Sequence, residues 1–297
     1  MSAVDVPLLG GDPGGVPSAA EPLLAPRPGR YREAFGSVKG RLGLAVILLV
    51  VLGAVLGPLF LPHGPYEQGR DALTTPNGTY PLGTDEVGRD LLARVLAGTR
   101  VDLIITLIAV PIAAVVGTLL GLVGMLNRHI GNFAQRVFDV LLGVPAVLLG
   151  VSVAIAVDPG VSSVIVAIVL VTTPIFGRQT RSSALGQTSL DYVSAAEVLG
   201  FPRHRIMLRH VLPNIIDAIF VRVAVVMALA ISIEGGLSVI GLGVQSPQPS
   251  LGSMIKDGGS YIYDVPLYAL APVFVVIVLI VGYTMVSDAL NEAVLRK

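Results

Sequence analysis

Few residues in this 297-residue chain have the type and spacing that catalysis or metal binding requires. The chain has no cysteine, which excludes disulfides, thiolate metal sites and cysteine nucleophiles. Its four histidines are scattered without the spacing of metal ligands. None of Lys39, Lys256 and Lys297 is followed by Ser or Thr, as the phosphate-binding loop of an ATPase requires. We therefore expect no catalytic residue, metal site or cofactor in this chain.

Three carboxylates cluster in the sequence GTDEVGRD, at Asp85, Glu86 and Asp90. A calcium loop needs more oxygen ligands in a fixed register that ends in a bidentate Glu, and this segment does not provide them. Short acidic side chains also cap helices and stabilise turns. We expect this second role, with Arg89 pairing with a neighbouring acid.

Glu234 is the other residue that could do chemistry, because it lies within the apolar stretch 223–243. A charge in the middle of a membrane span costs on the order of 2.5 to 3.5 kcal/mol, so it must face the bundle interior, a water-filled path or a partner. Glu234 and Ser238 could line a substrate pathway, with Glu234 contacting a substrate's amino group. Alternatively, Glu234 is a protonated or hydrogen-bonded structural residue beside Gly235 and Gly236. Both interpretations stay open.

The elements that position these residues are apolar segments. The chain is 53% hydrophobic and 13% charged, whereas a soluble domain carries roughly a quarter charged residues. Six runs approach or exceed the roughly 20-residue length that crosses a bilayer. They are 42–61, 103–126, 140–157, 161–177, 215–243 and 267–287. We predict an all-α polytopic membrane protein with six transmembrane helices, surrounded by membrane lipid.

Four prolines lie inside these runs and should kink the helices, since each removes a backbone donor. They are Pro111, Pro145, Pro174 and Pro272. Small residues also recur every four positions in the second and fifth runs, as Ala113, Gly117 and Gly121 and as Ala224, Ala228, Ser232 and Gly236. This spacing favours close helix contacts, although chance remains an alternative in a chain rich in Ala and Gly.

Charge placement indicates orientation. Lys and Arg concentrate in the N-terminal tail, in alternate loops and at the C-terminus, which predicts that both termini are cytoplasmic in a multi-pass protein of the cytoplasmic (inner) membrane. The overall charge is balanced, so nothing suggests a nucleic-acid partner. We expect residues 1–30 to be a disordered cytosolic tail, 31–100 to hold the first span and an extracytoplasmic loop, and 101–297 to form a core of five spans.

Residues 188–213, here called the elbow, interrupt the apolar pattern between the fourth and fifth runs. Thr188 or Ser189 could cap a helix with Asp191 in its first turn, and Gly200 would end it. A second helix would run from 202 to 213, between two prolines. Such a segment could lie on anionic lipid through its arginines, or its small residues could let another protein approach closely.

The elbow sequence DYVSAAEVLGFPRHRIMLRHVLPN resembles the EAA loop of binding-protein-dependent ABC importer permeases. That pattern is E-A-A, three residues, G, nine residues, I-x-L-P. The matching residues are Ala195, Ala196, Gly200, Leu212 and Pro213. Ser194 replaces the Glu and His210 replaces the Ile, while Glu197 could supply a displaced carboxylate. Residues 81–103 and 236–255 resemble the C-type permease subunit of dipeptide/oligopeptide and nickel importers.

The resemblance implies the type I ABC importer permease fold, with separate subunits doing the chemistry. The implied partners are a B-type second permease, two ATP-binding subunits that hold ATP and Mg, and an extracytoplasmic peptide-binding protein. The elbow would then couple to an ATP-binding subunit. The implied coupling residues are Asp191, Ser194, Ala195, Ala196, Glu197, Gly200, Arg203 and Arg205. Short peptides are the implied cargo, with nickel, glutathione and opines as alternatives.

Two other functional classes remain as alternatives. A secondary transporter or channel, driven by an ion gradient through Glu234, would be expected to contain inverted repeats, and the sequence has no convincing internal repetition. An intramembrane enzyme would need a pair of polar catalytic residues within the bilayer. We expect Glu234 to be the only deep carboxylate, which makes this the weakest alternative.

Overall fold

The computed structural model describes residues 30–295, and their side chains from 32 to 294. The predicted tail over 1–30 lies almost entirely outside the described residues, as do Arg296 and Lys297. The described part is mainly helical. Its helices are α1 (Arg30–Gly36), α2 (Val38–Leu56), α3 (Leu91–Leu126), α4 (Arg128–Gly143), α5 (Ala146–Val157), α6 (Val161–Thr188), α7 (Asp191–Val198), α8 (Arg203–Ile206), α9 (Leu212–Ile240), α10 (Leu251–Gly259) and α11 (Leu267–Leu295). A 3-10 turn, Gly57–Leu59, extends α2, and a π-helical turn, Met207–Val211, joins α8 to α9.

Five helical segments of the described chain are long and apolar enough to cross a membrane. They are Val38–Leu59, Leu91–Leu126, Val161–Thr188, Arg203–Ile240 and Leu267–Val294. A sixth span results if the bent pair of α4 and α5 crosses as one. The predicted all-α architecture is therefore confirmed. The proposed boundary at residue 100 falls inside α3, so the N-terminal region and the predicted core share a helix.

The predicted third span, 140–157, is wrong as one helix. The chain bends by 98° between α4 and α5. Val144 is extended, as expected for a residue before proline, and Pro145 then starts a new helix. The side chain of Asn127 accepts hydrogen bonds from the N–H groups of His129 and Ile130, so a helix begins where a loop was expected. By contrast, α3, α6 and α11 continue through their internal prolines.

The small-residue stripe of α3 packs directly on α6. A Cβ atom on Gly117 would lie 2.5 Å from the carbonyl oxygen of Thr173, and one on Gly121 would lie 2.8 Å from that of Gly177. Ala113 on the same stripe is fully buried. The prediction of a close contact is thus confirmed for α3.

The stripe of α9 is only partly buried. Ala224 and Ala228 are buried, but Ser232 is exposed. A Cβ on Gly236 would make an ordinary contact, 3.7 Å from Val147. The predicted close contacts on α9 are therefore limited to part of the stripe, because Ala224 and Ala228 are buried whereas Ser232 and Gly236 are not.

We expect Gly117→Ala to destabilise the bundle. The added methyl group meets backbone of α6 that cannot rotate away, and overpacking of this kind costs about 1 to 3 kcal/mol. The matched control is Gly186→Ala in α6, where no described atom outside the surrounding turns of its own helix lies within 4 Å of the added carbon. Unfolding in mixed detergent micelles measures both. Equal stability of the two variants would contradict the close approach of α3 and α6.

The helices place two sets of groups at opposite ends of the bundle. One end, here called the loop end, holds the loop before α3 together with α10 and the start of α11, joined by a 2.6 Å hydrogen bond from the Tyr268 hydroxyl to Glu86. The other end, the elbow end, holds α7 and α8. There, the Asn214 side chain donates to the Tyr192 hydroxyl at 3.3 Å.

Candidate functional site: the elbow and a buried carboxyl pair

The elbow begins without the predicted cap. The hydroxyl of Thr188 donates to the carbonyl of Leu185, and that of Ser189 donates to the carbonyl of Gly186. Both hydroxyls therefore bond to carbonyl groups in the last turn of α6, because hydroxyls readily donate to carbonyls three residues earlier. Leu190 precedes α7, and its side chain offers no acceptor. The predicted N-cap at Thr188 or Ser189 is wrong.

Gly200 ends α7 as predicted. Its φ of +79° is the left-handed conformation that favours glycine. The N–H of Gly200 donates to Glu197 and that of Phe201 donates to Ala196, at 2.9 and 3.1 Å. This pair of bonds is a Schellman motif, which closes the helix while the chain turns. Gly200 therefore sets the angle of the elbow.

The second half of the elbow is not a separate helix. Pro202 precedes α8, and the π-helical turn Met207–Val211 leads straight into α9. In that turn the N–H of Leu212 donates to the carbonyl of Met207. The prediction that Pro213 ends this helix is wrong, since the π turn shifts the hydrogen-bond register and Pro213 occupies the first turn of α9, where its missing N–H is tolerated.

The predicted coupling residues divide into inward and outward sets. Ala196 is buried with Val193 in the core of this chain. The others are exposed: Asp191, Ser194, Ala195, Glu197, Gly200, Arg203 and Arg205. Of the Ala-Ala pair, only Ala195 is thus open to another protein, and contact there stays a prediction.

An apolar tip, defined by Val198 and Leu199, was missed by sequence reasoning. The side chains of Val198 and Leu199 are 88% and 75% exposed. The sequence does contain a signal for this tip, since two apolar residues end a short helix directly before Gly200. Clustered exposed apolar groups outside a membrane span mark an interaction surface.

His210, which replaces the expected Ile, packs within the elbow. Its ring centroid lies 6.2 Å from that of Phe201. The guanidinium carbon of Arg205 lies 6.0 Å from the same Phe201 centroid, a cation–π arrangement. Phe201 thus ties the turn after α7 to both following segments and stiffens the elbow.

Glu234 has a carboxyl neighbour, Asp102, which sequence reasoning missed. Both side chains are fully buried, and the adjacent residues Ser250 and Leu251 link them, through Ser238 to Glu234 and directly to Asp102. The hydroxyl of Ser238 donates to Oε1 of Glu234 at 2.7 Å. The expectation that Glu234 is the only deep carboxylate is therefore wrong. The two acids come from different helices far apart in sequence, so no local pattern indicated the pair.

Ser238 and Glu234 lie where α3, α9 and α10 meet. The hydroxyl of Ser250 donates to that of Ser238 at 3.2 Å, and the N–H of Leu251 donates to Oδ2 of Asp102 at 3.1 Å. The surroundings of Glu234 and Ser238 are thus provided by the chain's own helices. That they contact a substrate stays a prediction.

The GTDEVGRD segment forms a compact turn at the loop end, as expected. Oδ1 of Asp85 accepts the N–H groups of Val87 and Arg89, and Oδ2 accepts Nε of Arg89 at 2.5 Å. Nε of Arg94 lies 3.3 Å from the same Oδ2. Asp90 caps α3 by accepting the N–H of Leu92. Capping, turn formation and the Arg89 ion pair are confirmed.

Two further carboxyls at the loop end are perturbed by their surroundings. Burial raises the pKa of Asp90, although its backbone hydrogen bonds oppose the shift. Burial also raises the pKa of Asp257 on α10, and the negative charge of nearby Glu86 adds to the effect. The loop end therefore carries closely spaced acids, which the arginines of the GTDEVGRD turn offset.

An open cleft of about 310 Å³ lies between α4, α6 and α9. Arg178 forms an ion pair with Asp139, and Arg222 donates to the amide oxygen of Gln179 at 2.8 Å. Arg222, the basic residue left inside a predicted span, thus has a polar partner on α6. The cleft is lined by Leu142, Ile175, Arg178, Gln179, Ser182 and Arg222.

Comparisons with known proteins match most of the chain. The family model of the binding-protein-dependent transport system inner membrane component matches residues 102–297. The chain is 32% identical over 292 residues to the dipeptide transport system permease protein of Alkalihalophilus pseudofirmus, covering 92% of this chain and 96% of that protein. It is 33% identical over 287 residues to the di/tripeptide transport system permease protein of Pseudomonas aeruginosa, covering 93% and 95%.

A solved structure shares the fold. The inward-facing MetNI methionine ABC transporter is similar with a TM-score of 0.54 and 15% sequence identity, over 68% of this chain and 96% of that chain. At this identity, the likeness bears on the fold alone. It confirms the fold class predicted from the sequence.

Proposed function

The chain belongs to the binding-protein-dependent transport system inner membrane components, and from that premise we propose that it translocates short peptides by alternating access, driven by separate ATP-binding subunits. The cargo follows from the names of its relatives, which are permeases of dipeptide and di/tripeptide transport systems. Nickel, glutathione and opines remain alternative cargoes.

The exposed apolar tip of the elbow is the observation that supports coupling to an ATP-binding subunit. Val198 and Leu199 project from the bundle next to the charged residues Glu197 and Arg203. An apolar centre with a polar rim is the usual composition of a protein–protein interface. We propose that this tip enters a groove on the ATP-binding subunit, with Asp191, Ser194, Ala195, Glu197, Arg203 and Arg205 around it.

In the proposed complex, the elbow transmits a displacement of its tip to the helices of the bundle. Its second half continues through the π turn into α9, so a displacement at the tip is passed to a helix that crosses the membrane. Val193 and Ala196 anchor α7 in the same core, and Gly200 fixes the angle between the two halves. A stiff connection of this kind turns a local push into rigid-body movement of helices.

The remaining parts of the importer are proposed to be separate chains. They are a B-type second permease, two ATP-binding subunits that hold ATP and Mg, and an extracytoplasmic peptide-binding protein. We propose that the elbow end faces the cytoplasm, with both termini inside, and that the loop end faces the binding protein. The basic residues of the elbow, such as Arg203 and Arg205, support this orientation.

Reconstitution in liposomes tests the proposal. We expect uptake of labelled dipeptide only when this chain, its second permease, the ATP-binding subunits, the binding protein and ATP are all present. Competition by tripeptide, glutathione and nickel then ranks the cargoes. Gradient-driven uptake by this chain alone, without ATP-binding subunits, would overturn the proposal in favour of a secondary transporter.

A further inference from the structure

The carboxyl pair of Asp102 and Glu234 contains acceptor oxygens that no hydrogen bond in the described part of the chain satisfies. Oδ1 of Asp102 and Oε2 of Glu234 are both buried and have no donor among the described residues. Their other oxygens are satisfied, by the N–H of Leu251 and the hydroxyl of Ser238 respectively. An unpaired acceptor in such a position is costly, so a missing donor must be accounted for.

A proton between the two acids supplies that donor. Adjacent residues at the start of α10 bring the two carboxyl groups together, since Leu251 bonds to Asp102 and Ser250 bonds to Ser238, the partner of Glu234. Each acid contributes one buried oxygen that is unpartnered among the described residues. Two ionised carboxylates side by side, away from water, would repel strongly. One proton removes the repulsion and satisfies both oxygens with a single charge-assisted hydrogen bond, which is the strong kind.

We propose that Asp102 and Glu234 together form a binding site for one proton, and that the bridged pair holds α10 on α3 and α9. The remaining negative charge then lies at the N-terminus of α10, through the N–H of Leu251 bonded to Asp102. A helix N-terminus carries partial positive charge and favours an anion there.

The fit of α10 on α9 makes this attachment close. A Cβ on Gly252 would lie 2.6 Å from Cβ of Ser238 and 2.9 Å from Cα of Gly235. Ser250, just before α10, is hydrogen-bonded to Ser238 and accepts the N–H of Ser253 to cap its own helix. The proton site thus joins three helices at the loop end, and this role is separate from the proposed transport function.

Infrared spectroscopy of the full chain in lipid nanodiscs tests proton sharing at neutral pH. We expect a carbonyl stretch from a protonated carboxylic acid in the natural chain. Either Asp102→Asn or Glu234→Gln should abolish this band, because the new amide donates to the remaining carboxylate, which then ionises. The control Glu67→Gln, at an exposed loop residue, should leave it unchanged. No band in the natural chain, or a half-intensity band in both amide variants, would overturn the single shared proton.

Thermal unfolding of the same samples tests the attachment. Glu234→Gln should unfold within about 2 °C of the natural chain, since the amide preserves shape and supplies the donor. Glu234→Ala should lower the midpoint by about 4 to 10 °C, because it leaves Asp102 with an unpaired oxygen and removes the bond to Ser238. If Gln were as damaging as Ala, an ionised Glu234 would be required and the inference would be wrong. Neither measurement depends on the cargo or on ATP.

Discussion

Leu199→Asp is expected to detach the ATP-binding subunits and to stop ATP-dependent uptake. The Leu199 side chain is 75% exposed at the apolar tip, so a carboxylate there does not disturb the bundle. In the proposed complex it would be buried in the groove of the partner, where a charge without a counter-ion is costly. Central interface residues contribute about 2 kcal/mol or more, which corresponds to roughly a 30-fold weaker association.

Copurification in mild detergent measures this effect. The ATP-binding subunits should be lost from Leu199→Asp but retained by Tyr263→Asp, a matched change at a 98% exposed residue of the loop end. The thermal midpoint of the isolated chain should be the same for both variants. Retention of the ATP-binding subunits by Leu199→Asp, with normal uptake, would show that the tip is not the docking surface.

Ala195 and Ala196 differ in whether they can belong to the proposed docking surface of the elbow. Ala196 is buried in this chain and Ala195 is exposed, so only Ala195 is open to the proposed partner. A larger residue at position 196 would act on the fold of the elbow, whereas one at 195 would act on the ATP-binding subunit in the proposed complex. The sequence motif alone does not separate these effects.

The sequence predicted the membrane helices where their signal is local. A long apolar run needs no partner to be recognised, and five of the six runs correspond to continuous helical segments. The run at 140–157 failed because Pro145 begins a new helix and because the amphipathic α4 starts well before the apolar stretch, at Arg128. Counting apolar residues does not detect a helix whose one face is polar.

The sequence predicted where the elbow turns but not which of its side chains are exposed. The left-handed backbone conformation at residue 200 favours glycine. A glycine directly after a helical pattern already predicts such a turn. Exposure of Val198 and Leu199 depends on what the rest of the fold leaves uncovered. Apolar residue type by itself indicates burial, so sequence reasoning pointed away from the tip.

The pairing of Asp102 with Glu234 shows a different limit. Each acid lies on its own helix, and only the packing of α3, α9 and α10 brings them together. The sequence indicated that Glu234 needs a partner, because a lone charge in a span is costly. It did not indicate which residue that partner is, since long-range contacts have no local signature.

The second large effect is expected at the loop end, where Asp85→Ala should destabilise the protein. The Asp85 carboxylate is fully buried, and its Oδ2 lies 2.5 Å from Nε of Arg89 and 3.3 Å from Nε of Arg94. Both arginine side chains are themselves almost completely buried. Removing the acid leaves two guanidinium groups next to each other without their shared counter-ion, and breaking a buried pair in this way costs about 3 to 5 kcal/mol.

The same substitution also opens the turn that precedes α3. Oδ1 of Asp85 accepts the N–H groups of Val87 and Arg89, so two backbone donors lose their partner together with the ion pairs. The control is Asp71→Ala, an exposed acid of the same loop, which should change stability by no more than about 0.5 kcal/mol. Detergent unfolding of both variants gives the comparison. Equal stability would mean that water reaches the two arginines and replaces Asp85, in which case the GTDEVGRD turn would not be held by buried charge.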